Sequence, residues 1–260
     1  MPLLRIGTSG WQYGHWREVF YPKRLPVTQW LAHYFTHFNT VEINSSFYHT
    51  PKEEAFDRWR EAAPKGFLYA VKGTRYVTHL RKLSGIAEAV AGFVARAARL
   101  REHLGPILWQ LPPGLHYQAQ RLSELLASLP VGYRYALEVR HPTWVADEPL
   151  GMLRNAGVAI CIADTPARRY LPEGRGARAA SPDERLYPYT EAVTADLVYV
   201  RLHGRKALYG SEYTEAELQD WAAKARRWYN AGLDVFIYFD NDAFGYAVRN
   251  ALRLKEILGA

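Results

Sequence analysis

Short runs with period two alternate along this chain with longer runs at helical spacing, and together they predict eight strand–helix units. The first strand spans 3–8, with Ile6 and Thr8 set against Arg5, Gly7 and the following Ser9. Residues 26–38 place Trp30, Leu31, Tyr34 and Phe38 on one helical side. In strand 40–44, Val41 and Ile43 oppose Glu42 and Asn44; Thr50 and Pro51 then predict the cap and first residue of a helix over 51–63. Strand 67–72 sets Phe67, Tyr69 and Val71 against Leu68, Ala70 and Lys72, and leads to an Ala-rich helix over 85–103. Strand 106–111, with Gln110 opposite Trp109, ends at Pro112-Pro113-Gly114 and precedes a helix over 119–129. Strand 133–140 opposes Leu137 and Val139 to Ala136, Glu138 and Arg140; a short helix over 149–156 leads to strand 158–163, which ends at Asp164. After an irregular stretch, strand 197–204 opposes Val198, Val200 and Leu202 to Tyr199, Arg201 and His203. A helix over 215–231 stops at Gly232, and strand 235–240 and helix 246–258 complete the chain.

The count, order and length of these units predict an α/β fold, a single (β/α)8 TIM-type barrel occupying residues 1–260. A doubly wound sheet has no Gly-x-Gly-x-x-Gly after its first strand to support it. The sixth unit has no regular helix. Residues 165–196 are rich in Arg, Pro and Gly, including Arg168, Arg169, Arg175 and Arg178, and predict a long loop or lid after the sixth strand; a solvated insertion is the alternative.

In a TIM-type barrel the C-terminal strand ends carry the chemistry. Those ends supply Ser9, Glu42, Asn44, Lys72, Gln110, Glu138, Arg140, Asp164, Arg201, His203 and Asp240. In the second, third, fifth and seventh strands the polar residues share one parity, opposite the Val, Ile and Leu set, so they face the barrel axis together. A buried ion-pair network is the structural alternative, with Lys72, Arg140 and Arg201 offsetting Glu42, Glu138, Asp164 and Asp240. His203 is the candidate general acid/base, with Glu42, Glu138 and Asp240 as carboxylate partners. Lys72, Arg140 and Arg201 are candidate anion holders. Ser9, Asn44, Gln110 and Asp164 join them as substrate contacts, with the loop aromatics Trp11, Tyr13, Tyr48 and Trp144 as stacking surfaces; Trp16 and Phe47 lie in the same loops.

The carboxylates and His203 are also suitable donors for a divalent metal. Three cations among them argue against one, and no His-x-x-x-His or Cys-x-x-Cys pattern supports it, so neither a metal nor another cofactor is expected. The lone Cys161 lies in an apolar run, which excludes an internal disulfide and predicts a buried thiol. A net charge of +7 and a pI near 9.4 favour an anionic partner, with DNA or RNA the preferred class. With no run of about 18 apolar residues and a strand pattern starting directly at the N-terminus, a cytoplasmic protein without membrane contact is expected.

Gly7-Thr8-Ser9-Gly10-Trp11 with Tyr13 and Trp16, Val41-Glu42-Ile43-Asn44 with Ser46-Phe47-Tyr48, and residues 67–72 resemble the YecE-like family, also known as domain of unknown function 72. Glu138-Val139-Arg140-His141 with Trp144, and Tyr199-Val200-Arg201-Leu202-His203-Gly204, extend the resemblance over nearly the whole chain. The resemblance implies a single TIM-type barrel and supplies no settled reaction. Barrels of that family have been likened to apurinic-site endonucleases and sugar isomerases, but this chain lacks the many His ligands of those metal sites.

The leading expectation is therefore an enzyme, a hydrolase or lyase, that cleaves a phosphodiester or glycosidic bond of nucleic acid with His203 as acid/base. A small-molecule hydrolase or isomerase acting on sugars or sugar phosphates is the first rival. A non-catalytic protein that binds nucleic acid or an anionic metabolite is the second.

Overall fold

The computed structural model describes residues 1–167 and 185–260, and its eight parallel strands follow one another around a barrel. They are β1 Leu4–Thr8, β2 Thr40–Ile43, β3 Leu68–Lys72, β4 Leu104–Gln110, β5 Tyr135–Glu138, β6 Ala159–Asp164, β7 Leu197–Leu202 and β8 Asp234–Phe239. From β2 to β8 each pairs with its sequence neighbour, and β1 pairs along its length with β8. Helices α1 Trp30–Phe35, α2 Glu53–Ala62, α3 Ala87–Ala97, α4 Ala119–Ser128, α5 Asp147–Asn155, α6 Glu215–Asn230 and α7 Tyr246–Leu258 make the outer layer. No regular helix joins β6 to β7 among the described residues. Arg168, Arg169, Arg175 and Arg178, assigned above to a lid, lie outside the described residues.

Closure between β1 and β2 is partial. It consists of a Ser9–Glu42 bridge and a 2.8 Å bond from Gly10 N to Glu42 O. Below that point the Tyr34 hydroxyl spans the seam, accepting from Thr8 N at 3.0 Å and donating to Thr40 O at 3.2 Å. Gly7 permits this approach, because a Cβ there would stand 2.3 Å from the Thr40 carbonyl oxygen.

The period of two sorts the strands into two cores. Outward-facing Val198, Val200, Leu202, Leu137, Val139 and Ile160 pack under the helices, and inward-facing Ala70, Leu108, Ala136, Cys161, Tyr199 and Tyr238 fill the barrel. Polar groups crown that inner core, because the same inward parity carries Glu42, Lys72, Gln110, Glu138, Arg201 and Asp240 to the C-terminal end. Cys161 is buried and free, and burial pushes its thiol well above the usual range.

Several helix ends differ from their sequence expectations. The segment expected over 26–38 divides into a 3-10 turn at Val27–Gln29 and the shorter α1. α2 starts at Glu53 with Lys52 at the N-cap, so Thr50 and Pro51 precede it without capping it. After α3 the backbone kinks at Arg101, where φ is 50°. α6 has a capping box: Thr214 accepts from Glu217 N at 3.4 Å, and Glu217 accepts from Thr214 N at 2.8 Å. Among the described residues no helix is long and apolar enough to cross a membrane.

Candidate active site

Arg201 is the hub of the barrel mouth. Its side chain is fully buried and its guanidinium reaches three carboxylates. Nε donates to both Glu42 oxygens at 3.2 and 3.1 Å, Nη1 to Glu138 at 2.6 Å, and Nη2 to Glu42 and Asp240 at 2.9 Å each. Ser9 and Tyr199 complete the shell of Glu42 through their hydroxyls, Tyr199 at 2.6 Å. These bonds offset the cost of burying the charges, and they also occupy the Arg201 donors. The attraction of the carboxylates holds the Arg201 pKa well above its ordinary value in spite of burial. Arg201 therefore does not present a free fork to an external anion, contrary to its assignment as a substrate contact, and Ser9 is likewise absorbed into this buried network.

Above the network lies a cavity of about 250 Å³, lined by Tyr13, Asn44, Lys72, Gln110, Arg140 and Asp240 among the residues expected from sequence. Tyr48 also lines it, although its own side chain is mostly exposed, at 63%. Arg140 bonds Glu138 through Nε at 2.9 Å and lies over the Tyr187 ring at 4.3 Å, and its two terminal nitrogens make no hydrogen bond to a described residue. Lys72 Nζ sits 4.2 Å from the Phe47 ring centre and makes no hydrogen bond or ion pair to a described residue. Burial, then the neighbouring Arg201 charge, bring the Lys72 pKa down to about 8. The buried Oδ1 of Asn44 has no hydrogen-bond partner, leaving an acceptor at the cavity wall.

The carboxylates of Asp240 and Asp242, both lining the cavity, titrate in opposite directions. Asp240 is driven against the cost of burial to about 2 by Arg201 and His203. Burial and the charge of Asp240 raise Asp242 above the ordinary aspartate value. The Asp242 backbone carbonyl is held by Trp16 Nε1 at 3.1 Å, which fixes the loop after β8.

His203 sits behind the cavity rather than in its wall. It is fully buried, with Tyr187 and Tyr209 edge-on to its ring at 6.2 and 5.5 Å. Its Nδ1 is 3.0 Å from Asp240 Oδ2 but not aligned as a hydrogen bond, and its Nε2 is 3.8 Å from Glu138 Oε1. Burial lowers its pKa from 6.5, the nearby Arg201 adds to that, and the carboxylates oppose it. The next residue, Gly204, has φ +94°, and a Cβ there would lie 2.6 Å from Ala207 O, so the turn after His203 requires glycine.

Three residues expected at the mouth are placed elsewhere. Trp11 packs edge-on against Trp59 at 5.8 Å, and Trp144 donates its Nε1 to Leu115 O at 2.7 Å, both beneath the loops. Asp164 has the outward parity of β6, where it accepts from Arg205 at 2.8 Å and from Trp221 of α6 at 3.3 Å and pairs with Arg185. Its charge is balanced there, between the barrel and the helix layer. Phe47, one of the aromatics expected in these loops, lines the cavity, and so do His79, Tyr209 and Asp242, which the sequence did not assign to it. His79 arrives on a π turn, Tyr76–Leu80, and burial together with nearby Arg140 and Lys72 lowers its pKa to about 4. Tyr209 carries a φ of 61°, a strained conformation for a side-chain-bearing residue at a site.

Among the described residues, no three His, Cys, Asp or Glu side chains are grouped to hold a metal ion. Glu42, Glu138 and Asp240 direct their oxygens at Arg201 instead.

Residues 5–260 match the family described as "Protein of unknown function DUF72". The UPF0759 protein YecE of Escherichia coli is 28% identical over 234 residues, which cover 87% of this chain and 82% of that protein. The UPF0759 protein YunF of Bacillus subtilis is 23% identical over 287 residues, covering 98% and 95% respectively. A DUF72 family protein of Thermotoga maritima has a solved structure that matches with a TM-score of 0.84 and 28% identity, covering 99% of this chain and 100% of that one. A D-psicose 3-epimerase matches with a TM-score of 0.57 over 98% of this chain and 100% of its own, at 11% identity, a likeness of fold alone.

Proposed function

The chain belongs to the DUF72 family, and from that premise we propose that it is an enzyme acting on a small, polar, anionic substrate of the sugar or sugar phosphate class. The observation that carries this reading is the cavity lining: Arg140, Lys72, Asp240 and Asp242 converge on about 250 Å³. Drug-sized ligands occupy pockets of roughly 300–1,000 Å³, so one compact molecule suits this cavity better than a stretch of polymer. Its polar groups match hydroxyls and an anion. The Arg140 terminal nitrogens are the anion donors, while Asn44 Oδ1 and Asp240 accept from hydroxyls. Sharing a barrel fold with a sugar epimerase is consistent with this class.

Of the four residues assigned to proton transfer, Asp240 lines the cavity, whereas Glu42 and Glu138 are engaged by Arg201 and His203 lies behind Asp240. Asp240, ionised, and Asp242, more readily protonated, form the base and acid of an isomerisation or hydrolysis. His203 and Glu138 orient these groups from beneath.

Calorimetric titration with sugar phosphates and with short oligonucleotides, each over a range of salt, tests the reading. Saturable sugar phosphate binding with a shallow salt slope is the expected result. Tight oligonucleotide binding with a steep slope, and none of the small ligands, would return nucleic acid to first place.

A further inference from the structure

We infer that Lys72 is a covalent nucleophile, forming an imine with a carbonyl-bearing substrate in the open-chain form of a sugar or sugar phosphate. The inference rests on the proposed substrate class and narrows it to a compound with a free aldehyde or ketone.

Placement is the first argument. Lys72 is the last residue of β3, on the inward parity, and it lines the cavity while its side chain is almost wholly buried. The second is the absence of a partner. The buried cations beside it each hold a carboxylate: Arg201 holds Glu42, Glu138 and Asp240, and Arg140 holds Glu138. Among the described residues no carboxylate lies within ion-pair distance of Lys72 Nζ, which rests against the face of Phe47 at 4.2 Å. A lysine serving only to balance charge would be found in an ion pair. Desolvation combined with a neighbouring guanidinium is the environment that keeps an amine partly unprotonated and nucleophilic near neutral pH.

The surroundings supply the remaining parts. The Arg140 terminal nitrogens share the cavity with Lys72 and can hold a substrate anion. In the reaction the neutral amine adds to the carbonyl carbon, forming the C–N bond as the C=O π pair moves to oxygen. One amine hydrogen passes to that oxygen. The second leaves the nitrogen as the C–O bond breaks, so the oxygen departs as water and a C=N bond remains. Asp240 and Asp242, on the same cavity, relay these protons, and the imine then draws electrons from the adjacent carbon when a proton leaves it.

The test uses the full chain with dihydroxyacetone phosphate, ribose 5-phosphate and the unphosphorylated glycolaldehyde as probes, reduction with sodium borohydride, and peptide mapping by mass spectrometry. A pKa of about 8, against 10.5 for an ordinary lysine, gives on the order of a hundredfold more free amine at about pH 7. The Lys72 peptide should therefore be labelled faster than the surface lysines by about that factor. Lys72→Arg should reduce incorporation to the surface background while calorimetry still detects probe binding.

Probe binding without selective labelling of Lys72 would overturn the imine and leave the sugar reading standing. Selective labelling of Lys72 by glycolaldehyde, with neither phosphorylated probe bound, would support the nucleophile and sink the sugar phosphate reading. Uniform labelling of many lysines with no probe bound would remove both.

Discussion

His203 Nδ1 lies 3.0 Å from the same Asp240 oxygen that accepts from Arg201 Nη2 at 2.9 Å. One carboxylate oxygen thus joins the buried ion network to the cavity wall, with the imidazole set behind it. Asp240 faces the cavity; His203 faces Asp240. A histidine with no exposed surface thus stands one carboxylate away from the cavity.

The pH behaviour of His203 follows from its burial. Its folded pKa is lowered from 6.5, so the unfolded chain binds that proton more readily. Its contribution to stability is complete above the unfolded value and is lost as pH falls toward the folded value. NMR titration should find this imidazole less than half charged at pH 6.5, where a free histidine is half charged. Because Asp240 raises the His203 pKa, Asp240→Asn should move the titration lower still, and an upward move would contradict the assigned contact.

Arg201→Met leaves Glu42, Glu138 and Asp240 without their shared cation in a buried site. Breaking a buried ion pair in this way costs about 3–5 kcal/mol. Urea unfolding should show at least that loss. Adding Glu42→Gln to the variant should recover part of it, whereas a purely steric defect would show no recovery.

Lys72→Met is expected to act in the opposite direction. The folded pKa of about 8 lies below the ordinary 10.5, so below about pH 8 the folded protein bears the full cost of the buried ammonium. Removing that charge should raise stability near neutral pH by about 1–3 kcal/mol. Wild-type stability should climb between pH 8 and 10.5 relative to the variant. Equal stability of the two proteins at neutral pH would show that the ammonium is compensated after all.

Arg140→Ala should weaken a phosphorylated ligand more than its unphosphorylated counterpart. A charge-assisted hydrogen bond contributes about 1.5–3 kcal/mol, or roughly 10–100-fold in affinity. Calorimetry on the two ligands reads the difference directly. Equal losses for both would point to collapse of the wall beside Glu138, which Arg140 Nε also bonds at 2.9 Å.

The barrel was legible in the sequence because alternation assigns each strand residue to one of two faces. Glu42, Lys72, Glu138 and Arg201 therefore appear together at the mouth, as their shared parity predicts. Asp164 escaped the same logic. The inward set of β6 includes Ala159 and Cys161, so no polar residue marks the phase of that strand, and a terminal aspartate looks equally suited to either side. The saturation of Arg201 was not legible either, because Glu42 lies 159 residues away in the chain and only barrel closure brings it within 2.9 Å. Loop aromatics such as Trp144 were misplaced because their N–H groups are satisfied by backbone carbonyls, a matter of loop path rather than composition. His79 was missed because a π turn alters which side chains of its loop point inward.

The seam between β1 and β2 provides the last prediction. One hydroxyl, that of Tyr34, replaces a ladder bond there, accepting from Thr8 N at 3.0 Å and donating to Thr40 O at 3.2 Å. Tyr34 is fully buried, so Tyr34→Phe preserves the ring packing and leaves one backbone donor and one backbone acceptor unsatisfied in the interior. An unsatisfied buried group costs about 1–3 kcal/mol, and the variant should lose roughly that amount in urea unfolding. Hydrogen exchange should localise the weakness: the Thr8 amide should exchange faster, while amides in the continuous β7–β8 ladder should retain their protection apart from the global loss. Uniform acceleration in both places would mean that the hydroxyl stabilises the whole barrel without guarding the seam. Because Ser9 and Gly10 meet Glu42 immediately above, a local opening should also loosen the Arg201 network.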